Sequence, residues 1–160
     1  MTRKSQAWYR DAAGRAFIAR CYLPWFAALN FAWEIGQLPL YTLWRDASVG
    51  TIAFAVLHCT GGDLLIGSAA LALALIATRA GPLESWRWLG LGAIATLIGA
   101  AYTFFSEWMN TSLSPAWQYS DLMPTVEVHA IAVGLSPLAQ WLAVPPLTLY
   151  LARRLRRVAS

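Results

Sequence analysis

Four long apolar runs organise this chain, at roughly residues 20–43, 51–78, 87–108 and 125–150. Each comes near the roughly 20 mostly apolar residues that a helix needs to cross a bilayer core. The connection between the second and third runs, AGPLES, holds Gly81 and Pro82, a turn signal. The third and fourth runs are joined by a longer segment over 107–124. The chain shows no internal repeat and no low-complexity linker. The pattern predicts one all-α domain over residues 1–160, a four-helix transmembrane bundle.

The polar positions inside those runs are periodic. Asn30, Glu34, Gln37 and Tyr41 recur at i, i+4, i+7 and i+11, one stripe on a helix. Thr60, Asp63 and Gly67 share a face of the second run. His58 lies about 140° around the helix from Asp63 and serves a different surface. Thr96, Gly99, Thr103, Glu107 and Asn110 align in the third run. In the fourth, His129, Ser136 and Gln140 align, with Glu127 nearly opposite His129. Counting from the ends of the runs puts Glu34, Asp63 and Gln140 near mid-membrane. His58, Tyr41, Glu107, Glu127 and His129 then fall in the outer half, and the cytoplasmic half is nearly all apolar. The asymmetry points to a pocket open on one side, not to a polar path running through.

Composition agrees with a membrane class. Of 160 residues, 58% are hydrophobic and 12% charged, with mean hydropathy +0.48. A soluble domain carries about a quarter charged residues. The net charge of +4 does not imply nucleic acid, because the basic residues sit at the ends of the apolar runs. Arg3, Lys4, Arg10, Arg15 and Arg20 precede or begin the first run. Arg79 and Arg87 flank the second connection, and Arg153, Arg154, Arg156 and Arg157 follow the fourth run. Only Arg45 falls on the opposite side. The positive-inside rule therefore puts both termini in the cytoplasm. The expected location is a bacterial cytoplasmic (inner) membrane. The tryptophans lie mostly near run ends, as interfacial aromatics do. No short apolar core with a cleavage site follows the basic N-terminus, so the first run reads as a retained span. Cys21 and Cys59 form no CxxC pair and read as packing residues.

The outer loop mixes Trp117, Tyr119 and Met123 with polar residues and no basic one. It reads either as an interfacial loop among headgroups or as a lid, with Trp117 and Tyr119 over the polar pocket. In the fourth run Pro137, Pro145 and Pro146 interrupt the helical ladder, and a kink at Pro137 would open space beside Ser136 and Gln140. Four stretches, WEIGQLPLY (33–41), GGD (61–63), WQYSDLMP (117–124) and SPLAQWLAVPPL (136–147), resemble a group of small uncharacterised bacterial multi-pass membrane proteins. Their shared pattern is W-E-x-x-Q-x-P-L-Y, G-D, W-x-Y-x-x-x-M-P and Q-x-x-x-x-P-P in that order. The resemblance covers most of the chain and implies no activity.

Ionisable groups within a span are costly and mark function by default. No Lys or Arg within the spans can pair with Glu34 or Asp63. The expected function is binding of, or acid–base chemistry on, a small lipid-like or amphipathic molecule reached from the outer leaflet or periplasm. Glu34, Asp63, Glu107 and His129 are the candidate catalytic groups. Asn30, Gln37, Tyr41, His58, Trp117, Tyr119 and Gln140 are the candidate substrate contacts. The residues leave the cofactor unspecified. One alternative is a non-catalytic accessory or assembly subunit of a larger membrane complex, with a membrane-protein partner or a homodimer. Another is a b-type haem or metal protein using His58 and His129 as ligands. No G-x-S-x-G or H-E-x-x-H motif is present.

Overall fold

A computed structural model describes residues 7–110, 117–128 and 131–159. It is mostly helical, with one small two-stranded sheet. Helix α1 (Ala12–Phe17) runs through a π turn at Ile18–Tyr22 into α2 (Leu23–Gln37). A 3-10 turn at Leu38–Leu40 and a short α3 (Leu43–Asp46) lead to α4 (Val49–Ala77). A second 3-10 turn at Leu83–Ser85 precedes α5 (Trp88–Trp108). Strands β1 (Thr125–Val128) and β2 (Ile131–Gly134) pair antiparallel, Thr125 opposite Gly134, and α6 (Leu135–Ala159) follows directly. Helix α4 packs on α5, α5 on α6, and both α4 and α6 on α2. The four long helices thus close into a bundle.

Local chemistry sets the helix ends. Asp11 Oδ2 caps α1 by accepting from Gly14 N at 2.9 Å. The same oxygen accepts from Leu83 N at 3.0 Å, which ties the N-terminal segment to the turn after α4. Ser48 caps α4 by accepting from Thr51 N. Pro39 disfavours helix at the residue before it, and the first long helix ends at Gln37 rather than near residue 43. Tyr41 is extended.

The fourth run differs from expectation at its start. Residues 125–128 and 131–134 are strands, and the helix begins at Leu135. Thr125, Val126, Val128, Ile131 and Val133 are β-branched and favour extended backbone. Apolar content hid that preference in the sequence, because a short apolar run fits a helix and a strand equally well. Pro137 also moves. It falls in the first turn of α6, where its missing N–H breaks no helical hydrogen bond. The expected kink beside Gln140 has no cause there. Pro145 and Pro146 do lie inside the helix.

Most of the apolar core fills one end of the bundle. Phe17, Tyr22, Phe26, Leu71, Leu75, Leu83, Trp86, Leu91 and Trp141 are buried there. Two glycines let it close. A Cβ on Gly67 would land in the Phe26 ring, and one on Gly99 in the Trp141 ring. The outer faces are apolar as well: Leu65 is 76% exposed, Leu97 68% and Leu142 65%. Two helices, Val49–Ala77 and Trp88–Trp108, are long and apolar enough to cross a membrane.

Candidate functional site

The other end of the bundle is polar inside. Helix α2 buries Asn30, Glu34 and Gln37 on the same face as Phe26, so these three members of the stripe face the core, while Tyr41, the fourth, lies past the helix end in extended backbone. Helix α4 contributes Thr60 and Asp63, α5 contributes Thr103 and Glu107, and α6 contributes Ser136 and Gln140. The antiparallel order of the helices brings these positions to one level.

Gln140 is the junction. Its Nε2 donates to Asn30 Oδ1 at 2.8 Å and to Asp63 Oδ2 at 2.7 Å. Asn30 in turn donates to the Phe26 carbonyl at 2.7 Å. Gln37 Nε2 donates to Glu34 Oε1 at 2.8 Å. Gln37 Oε1 accepts from Ser136 Oγ at 2.9 Å, and Ser136 Oγ accepts from Trp33 Nε1 at 3.3 Å. Glu34 and Asp63 themselves come within hydrogen-bond reach of one another. Ionised carboxylates only accept, so a hydrogen bond between these two requires a proton on one of them. Among the described residues neither carboxyl has a salt bridge to a basic side chain.

A third carboxyl group, that of Glu107, closes the top. Tyr119 OH donates to Glu107 Oε2 and accepts from Gly134 N at 3.0 Å. Burial, and then the bond to Glu107, push the Tyr119 phenol above its ordinary range, so it keeps its proton and donates. The Trp117 indole N–H faces the same carboxyl without a well-formed hydrogen bond. Backbone pairing seats this segment: Thr42 N donates to Gln118 O at 3.0 Å and Ser120 N to Leu40 O at 2.9 Å. The Tyr41 and Tyr119 rings lie 5.8 Å apart. Residues 117–120 therefore pack against the polar end through Leu40, Thr42 and Glu107. Residues 111–116 of the expected outer loop lie outside the described residues.

Not every candidate joins this cluster. His58 is exposed and stacks on Phe54, ring centroids 5.5 Å apart, on the face of α4 away from Asp63. As a substrate contact beside the carboxyls it is misplaced, because five residues of helix turn it away from the core. His129 lies outside the described residues, and so does the His58–His129 ligand pair that needs it. Among the described residues no group of three His, Cys, Asp or Glu side chains is arranged to hold a metal ion. Glu127 is exposed on β1.

Two members were missed in the sequence. Cys59 sits close enough to Glu34, Asp63 and Glu107 to feel their charge. It lies four residues before Asp63, on the same helix face, and that spacing could have found it. Ser136 aligned with Gln140 but was given no part, although it bonds Gln37. Thr60, buried on the face of Asp63, has no hydrogen-bond partner for its hydroxyl among the described residues.

No protein-family model, curated protein or solved structure matches the chain.

Proposed function

We propose that this chain is a multi-pass protein of a bacterial cytoplasmic membrane, its four-helix bundle spanning the bilayer with both termini in the cytoplasm. Its polar end opens toward the outer leaflet or periplasm and binds a small lipid-like or amphipathic molecule. Acid–base chemistry by Glu34 and Asp63 acts on that molecule. One observation carries the reading: two carboxyl groups from neighbouring helices lie within reach of one another, and among the described residues neither has a basic partner. One of them donates a proton while the other accepts, as a general acid and base must. Gln37 and Gln140 hold the pair in place. Glu107 and Tyr119 form the outer wall.

Helix lengths support the membrane reading. From Ala12 through Gln37 the chain is helical without a break, roughly 39 Å at 1.5 Å per residue, and α6 is roughly 37 Å. Both exceed the roughly 30 Å hydrocarbon core. The exposed strand residues Thr125–Glu127 then belong outside the hydrocarbon, where an open sheet edge is tolerated.

The test is mass spectrometry of small molecules that co-purify in mild detergent, comparing the native chain with Glu34→Gln and Asp63→Asn. A bound amphiphile that is retained but chemically altered in both variants is expected. Identical profiles from variants that melt like the native chain would remove the acid–base role.

A further inference from the structure

A cleft of about 430 Å³ runs between α2 and α6 on the side of the bundle. Leu29, Ala32, Trp33, Gly36 and Leu40 form one wall, and Ala143, Val144 and Leu147 the other. Gln37 and Ser136 lie at its polar end. They are the two residues that connect it to the carboxyl pair, since Gln37 bonds both Ser136 and Glu34. We infer that this cleft holds the chain of a neutral, single-chain amphiphile, a long-chain or isoprenoid alcohol, with its hydroxyl head at Gln37 and Ser136.

Three observations select that occupant. The first is hydrogen-bonding capacity. The Gln37 amide keeps a second N–H, and Ser136 Oγ and Gln37 Oε1 each keep a lone pair. A hydroxyl, which both donates and accepts, satisfies that set. Among the described residues no charged one lines the cleft, so neither an anionic nor a cationic head finds a counter-charge there.

The second is size. The wall from Leu29 to Leu40 is on the order of 16 Å long. A helix 10–12 Å across would displace roughly three times the cleft volume over that length. A linear chain fits where a partner helix does not. The volume is that of ordinary small-molecule sites, which are mostly apolar with a few placed polar groups.

The third is Gly36. A Cβ there would meet nothing within 4 Å. No helix approaches closely enough to require glycine, and its backbone does not adopt the left-handed region. Glycine in a helix interior is otherwise unfavourable. Its effect here is to keep the cleft open beside Gln37.

The inference rests on the membrane and ligand reading above, but its test separates the two. The native chain in lipid nanodiscs is exposed to a photoreactive hexadecanol, and in parallel to hexadecanoic acid and hexadecylamine of the same design. The alcohol should label peptides spanning 29–40 and 136–147 and outcompete both charged probes. Labelling should fall stepwise through Gly36→Ala, Gly36→Leu and Gly36→Trp, by roughly tenfold or more for the last. Ala143→Phe, on the facing wall, should do the same if Gly36→Trp does not fold. Glu34→Gln should keep the labelling, because the chain lies in the cleft and not on the carboxyl. Loss of labelling on filling the cleft, with an unchanged ligand profile in Glu34→Gln, would retain the cleft and reject the acid–base reading. Preference for a charged probe, labelling elsewhere, or full labelling of a folded Gly36→Trp would overturn the inference. So would a cross-linkable dimer that Gly36→Trp dissociates without loss of labelling, which would make the cleft a contact between copies.

Discussion

The two ends of the bundle use glycine for opposite purposes. At the apolar end Gly67 and Gly99 are filled by neighbours, Phe26 and Trp141, whose rings occupy the space a Cβ would take. Toward the polar end Gly36, Gly61 and Gly62 have nothing within 4 Å of that position. The same residue type therefore marks contact in one region and space in the other. Small residues let neighbouring elements approach closely, and that explains the first pair only. The polar end is held instead by directed hydrogen bonds through Gln140, Gln37 and Tyr119, and it keeps room beside them.

The largest effect should come from filling the contact glycines. Gly99→Ala places a methyl group in the Trp141 ring and should destabilise the fold by about 3 kcal/mol. Trp141→Phe in the same chain should restore part of that loss, because the two changes share one contact. Thermal unfolding in detergent reads both. If Gly99→Ala melts like the native chain, the two regions do not differ as described.

Next comes the junction of the polar end. Gln140→Leu removes the donor to Asn30 and Asp63 together and leaves both acceptors buried. The expected cost is about 2 kcal/mol, between that of one and two buried unsatisfied groups. Gln140→Glu should cost at least as much, since it adds a carboxyl beside Asp63. A Gln140→Leu protein of native stability would mean that packing alone holds this end.

Tyr119→Phe should follow at about 1 kcal/mol, for the bonds to Glu107 and Gly134. Its sharper readout is hydrogen exchange. The Gly134 amide should lose protection, while amides at the apolar end keep theirs. Gly134 has its own constraint, since a Cβ there would press on the Tyr119 ring at 3.1 Å. Gly134→Ala should therefore loosen the same segment.

What the sequence could reveal follows the same division. The stripe Asn30, Glu34, Gln37 was legible because helical spacing repeats, and polar residues in apolar runs stand out. The separation of His58 from Asp63 was legible from the 100° step alone. The hairpin at 125–134 was not. Val126, Val128, Ile131 and Val133 are as apolar as any helix, and their β-branched preference is weak against an expectation of a span. Cys59 was passed over because a single cysteine in an apolar run ordinarily packs. Its place among the carboxyls comes from α2 and α5, which sequence spacing within α4 does not report. The aromatic outer segment was legible in composition, yet its seat depends on Leu40 and Thr42 pairing with Gln118 and Ser120, a contact between distant segments.

The smallest expected effect has the opposite sign. Gly36→Ala adds a methyl group to a helix where nothing stands within 4 Å. It narrows the backbone freedom of the unfolded chain and should stabilise the bundle by about 0.5 kcal/mol. Gly99→Ala adds the same methyl group and should cost about six times as much in the other direction. Helix propensity is common to the two substitutions, so their difference measures the space around each glycine. Paired melts in lipid-free detergent give that difference without ligand. If a bound amphiphile occupies the cleft, repeating the melt with hexadecanol should stabilise the native chain more than Gly36→Trp, because only a form that binds gains from the added ligand. Equal shifts would mean that the space beside Gly36 is not where the chain lies.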